Sequence, residues 1–77
     1  MKHHICIHYD YLTCDNDVIP FRRFAIKKYL TRAINEILDI IVPKMGEGEI
    51  ILCGDGDAKR MLGRKLEDRL KRTIAYE

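Results

Sequence analysis

The chain has no tryptophan, two phenylalanines, two prolines and three cysteines. Each scarcity excludes something. Cys6, Cys14 and Cys53 are odd in number and far apart in sequence, which rules against a disulfide scaffold and fits a reducing, cytoplasmic setting. No apolar run approaches the length a membrane helix needs. The N-terminal Met1 to His8 stretch interrupts its isoleucines with histidines, where a secretory leader needs an unbroken apolar segment. With so few prolines and glycines, no linker, repeat or low-complexity tract divides the chain. Residues 1–77 therefore read as a single domain.

What is present is an ordinary folding composition, 47% apolar and 34% charged, too rich in core material for disorder. A chain of 77 residues buries only roughly 60% of the surface its unfolded form exposes. Stability is then marginal, and a homodimer is the expected remedy.

Two strands and two helices stand out. His4 to Tyr11 alternates, with Ile5, Ile7, Tyr9 and Tyr11 on one side and His4, Cys6, His8 and Asp10 on the other, the period of a half-buried strand. Thr13 to Asp17 reads as a turn. A helix from about Pro20 to Val42 follows, with proline in its first turn. Ile26, Leu30, Ala33, Ile34, Ile37 and Ile41 form its inner stripe, and Pro43 stops it. Ile50 to Cys53 reads as a short strand with apolar residues on both faces. Asp57 caps a second helix, Ala58 to about Ile74, with Leu62, Leu66, Leu70 and Thr73 facing inward and Gly63 beside them.

The expected fold is α/β, a small two-layer domain of α+β-like build. Its order is strand–helix–strand–helix, with both helices packed on a short sheet whose two main strands are parallel. Two strands make no stable sheet. Either Ile74 to Tyr76 adds an edge strand, or dimerisation extends the sheet, or a partner covers the bare face carrying His4, Cys6, His8 and Ile51 or Cys53.

The pattern His4-x-Cys6-x-His8-x-Asp10 could chelate zinc from one strand face. It lacks a Cys-x-x-Cys and a fourth ligand in view, so no metal and no cofactor are expected. Cys6 and a neighbouring histidine do not make a nucleophilic pair either, because residues two apart on a strand lie side by side. Gly54-Asp55-Gly56-Asp57 sits where a phosphate loop would, but its aspartates repel phosphate, so it reads as a turn and helix cap. The chain is accordingly not expected to be an enzyme.

Charge distribution says more than its total. Residues 58–73 carry about +5 and the remainder about −3, for a net +2. Arg60, Arg64 and Lys71 share a stripe away from the leucines, with Lys65, Arg69 and Arg72 flanking the other side. Pairs four apart (Arg64 with Asp68, Glu67 with Lys71, Asp68 with Arg72) would neutralise part of this surface. The first helix places Arg22, Arg23, Lys27 and Lys28 in its N-terminal half, against the helix dipole, unless Asp15 and Asp17 pair with the arginines. On its far side Phe21 and Phe24 align with Lys28 and Arg32, a second apolar set for which a small monomer has no core, unless the helix starts nearer Phe24 and both rings fold under the first strand.

Two expectations follow. The first is a non-enzymatic interaction module, expected as a homodimer, that binds another protein or protein complex through Phe21, Phe24, Lys28, Arg32, Arg60, Arg64 and Lys71. Inhibitors from phages or other mobile elements are often this small and this poor in motifs, so inhibition is the expected mode. The alternative is a nucleic-acid-binding protein whose two basic helices contact phosphates. A sequence pI of about 8.5 is low for that task.

Overall fold

A computed structural model describes residues 1–8, 10–21 and 27–77, and for residues 27–29 the backbone path alone. Five strands among the described residues form one mixed sheet: β1 (Lys2–Ile7), β2 (Tyr11–Cys14), β3 (Asp17–Pro20), β4 (Glu49–Gly54) and β5 (Ala75–Tyr76). Helix α1 (Lys27–Ile41), extended by a 3-10 turn over Val42–Lys44, joins β3 to β4, and α2 (Gly56–Leu70) joins β4 to β5. The strand order is β3-β2-β1-β4-β5. β2 runs antiparallel to both of its neighbours, whereas β1, β4 and β5 are mutually parallel. The protein is a small mixed α/β domain.

Alternation explains the layers. Ile5, Ile7, Leu12, Cys14, Ile19, Ile50 and Leu52 bury one side of the sheet, and Ala33, Ile34, Ile37, Leu38 and Ile41 of α1 with Leu62 and Leu66 of α2 close over it. Both crossovers move the same way across the sheet, so crossovers of one hand lay both helices on the same face. Burying each of the isoleucines and leucines among them contributes about 1.5–3 kcal/mol. The opposite face carries His4, Cys6, Thr13, Val18, Ile51 and Cys53, and no described element covers it.

Several sequence expectations need correction. The first strand ends at Ile7 rather than running to Tyr11, because the chain turns at Asp10 and Tyr11 opens β2. His8 N–H donates to the Tyr11 carbonyl at 2.9 Å, and the two rings stack with centroids 4.3 Å apart. The supposed turn at Thr13 to Asp17 is a two-residue connection at Asp15 and Asn16 between paired strands, with Asp15 in the left-handed region at φ 55. Pro20 ends β3 instead of opening a helix; its position on an edge strand suits a residue without an N–H. Tyr9, Arg22, Arg23, Phe24 and Ile26 lie outside the described residues.

The second helix starts at Gly56 with Asp55 as N-cap, not at Ala58 with Asp57. It ends at Leu70, so Thr73 is exposed beyond it rather than part of the inner stripe. Gly63 is buried where the Tyr76 side chain closes over it, and Tyr76 belongs to the edge strand anticipated at Ile74 to Tyr76.

Candidate functional site

The inner stripes of α1 and α2 point into the core, so their outer flanks border a groove. Its wider end is a cleft of about 510 Å³ between Thr31 and a row of α2 side chains: Asp57, Arg60, Met61, Arg64, Lys65 and Asp68. Asn35 and Leu38 of α1 continue it past Lys65 and Asp68 to Arg69. The Thr31 hydroxyl donates to Met61 Sδ at 3.7 Å, which ties the groove wall to its apolar floor.

Four-apart pairing along α2 is one of two readings of its charges from sequence, and the structure distributes them otherwise. Arg69 reaches Asp39 of α1 at 3.2 Å, and Arg72 donates to the Gly46 carbonyl at 2.7 Å. Glu67 accepts from the Tyr76 hydroxyl at 3.2 Å rather than meeting Lys71. That bond, together with burial and the Glu67 charge, holds the Tyr76 phenol above its ordinary pKa, burial being the largest cause. Among the described residues, none of the three four-apart pairs forms an ion pair. Arg60 approaches Asp57 at 4.0 Å with both side chains well exposed, an arrangement worth little in water. Arg64 is exposed on α2.

The sequence-derived surface is therefore split. Arg60 and Arg64 meet in the groove; Arg32 is exposed on α1. Lys71 is the C-cap of α2 in the left-handed region at φ 58, with its N–H on the Glu67 carbonyl. Phe21 is not a surplus aromatic on a helix: it follows β3, donates its N–H to the Asp10 carbonyl at 3.0 Å, and packs half-buried against the core. Phe24 and the Lys28 side chain fall outside the described residues. Asp15 and Asp17, offered above as partners for the helix arginines, bind His3 and Lys44 at 3.2 and 3.4 Å.

Lys65, Met61 and Thr31 complete the groove. Charge marks Lys65 as part of the basic surface, but the contact of α1 with α2 brings it to Met61 and Thr31, and neither of those two carries a signal in period or charge.

On the uncovered sheet face, Cys6 of β1 stands directly beside Cys53 of β4 in the parallel register. The Cys53 thiol also donates to the Ile5 carbonyl at 3.6 Å. Burial, with the hydrogen bond and charge of Cys6 adding to it, pushes the Cys53 thiol up to about 11. Cys14 lies on the core side, its thiol likewise raised by burial. Among the described residues no three His, Cys, Asp or Glu side chains converge to hold a metal ion. Among them, too, no helix is long and apolar enough to cross a membrane.

These features define a small mixed α/β domain with an open sheet face and a cationic groove between its helices. No family model, curated protein or solved structure matches the chain.

Proposed function

We propose that the protein is a non-enzymatic cytoplasmic interaction module that docks an acidic segment of another protein, or protein complex, in the groove between α1 and α2, and inhibits that partner by occupying its surface. The observation that carries this reading is the row Arg60, Arg64 and Lys65 set over Met61. Cations above an apolar floor offer an acidic peptide both steering charge and buried area. Asp57 and Asp68 within the same wall favour a protein surface over a polyphosphate, which those carboxylates would repel.

The uncovered sheet face supports a homodimer as the working assembly. Val18, 64% exposed at the β3 edge, would find shelter there.

A photoreactive residue replacing Thr31 at the groove mouth tests the docking reading in cells. It is expected to capture one acidic partner, and Arg60→Glu with Arg64→Glu should abolish capture by slowing association. Capture that survives the double reversal removes the groove from the reading, and capture of RNA or DNA in its place promotes the nucleic-acid alternative. Light scattering on the purified chain should report twice the chain mass; a strict monomer at high concentration removes the dimer.

A further inference from the structure

Cys6 and Cys53 come from strands separated by most of the chain, yet they are Cα partners on adjacent parallel strands. Neighbouring strands lie about 4.7–4.9 Å apart, inside the roughly 4.4–6.8 Å over which two α-carbons accept a disulfide. Both residues occupy the outward positions of their strands, because Ile5, Ile7 and Leu52 on either side of them are buried beneath the helices. Their side chains thus leave the sheet in the same direction, half-buried, on the face that no described element covers. Cys14 has no such position: it is buried within the core layer.

We propose that Cys6 and Cys53 form a reversible dithiol–disulfide site whose co-reactant is a low-molecular-weight disulfide such as oxidised glutathione. The Cys6 thiol loses its proton to solvent, and its thiolate attacks one sulfur of the small disulfide. A Cys6 mixed disulfide forms and one small thiolate leaves. Cys53 then loses its proton, attacks the Cys6 sulfur and expels the second small thiolate, closing the Cys6–Cys53 bond. Two protein thiols give up two protons and two electrons, and one small disulfide becomes two small thiols. Cys6 is the entry thiol because the Cys53 proton is held toward the Ile5 carbonyl. Cys53, directly beside it, is the resolving thiol. The product bond ties the two central strands together on the open face.

Exposure of the folded full-length chain to excess oxidised glutathione, followed by intact-mass measurement and non-reducing peptide mapping, tests the site. The expected product has lost two hydrogens, joins the peptides holding Cys6 and Cys53, leaves Cys14 free, melts at a higher temperature and reverts with a dithiol reductant. Cys53→Ser should stop at a glutathione adduct on Cys6. Cys6→Ser, a second variant should the first fold poorly, should leave the protein without the intramolecular bond. An unchanged wild-type mass, a lasting glutathione adduct on the wild-type chain, a bridge through Cys14 or a covalent dimer would each overturn the proposal.

Discussion

His3 Nδ1 lies 3.2 Å from Asp15 Oδ2, and His3 Nε2 lies 3.3 Å from the Glu47 carbonyl, so one buried ring on β1 fastens both the β2–β3 hairpin and the loop that precedes β4. Asp15 also accepts the His4 N–H through its other oxygen at 3.1 Å. Both oxygens of one carboxylate are thereby engaged. Each of its partners favours the ionised form.

The His3 hydrogen bond, the largest cause, holds the Asp15 carboxyl below its ordinary pKa. A depressed carboxyl contributes stability above its unfolded pKa of about 4, and that stability is lost as pH falls through the folded value. Urea midpoints measured from pH 6 to pH 3 should drop below about pH 4, and Asp15→Asn should show a shallower drop from a lower starting point. The carboxylate is 45% exposed, which limits the effect to about 1 kcal/mol or less. Identical pH profiles for the two proteins would contradict the assignment.

Gly54 sits at φ 123 at the end of β4, where a Cβ would strike the Ile7 carbonyl oxygen and crowd the Ile7 amide. The obstacle is the backbone of the central strand, which cannot step aside without breaking the β1–β4 register. Gly54→Ala should therefore cost about 2–3 kcal/mol or more, read from urea denaturation. A loss under 1 kcal/mol would mean that the strand end relaxes freely.

Lys71 offers the opposite case. Its left-handed backbone closes α2 as a C-cap, a conformation that glycine adopts without the Cβ penalty. Lys71→Gly should raise stability by about 0.5–1 kcal/mol in the same assay. If Lys71 serves binding as well, this variant loses partner capture while gaining stability, and the two readouts separate its roles.

What the sequence made legible follows from element length. The fifteen-residue helices carry enough turns for Ala33, Ile34, Ile37 and Ile41, and for Leu62 and Leu66, to declare their faces. β2 and β3 span four residues each, too few for a period to emerge. Tyr11 happened to fall in phase with Ile5 and Ile7, so the alternation ran unbroken through a reversal of the chain. Proline at the end of an edge strand and proline in a first helical turn look alike in sequence, because both positions tolerate a missing N–H. The bare sheet face and the basic exterior of α2 were legible, whereas the groove depends on how α1 settles beside α2.

The strand order also dictates when this domain can fold. β1 forms the middle of the sheet, but its parallel partner enters only at Glu49, opposite Lys2, and the edge strand completes the layer at Tyr76. β1, β2 and β3 can pair as a meander from neighbouring sequence, yet the core cannot close until β4 and α2, which follow α1, are in place. Pairings so distant in sequence slow folding and prolong exposure of apolar surface. The domain is thus committed only once β4 has docked on β1, and the first three strands alone leave Ile5, Ile7 and Leu12 without the helix cover that buries them.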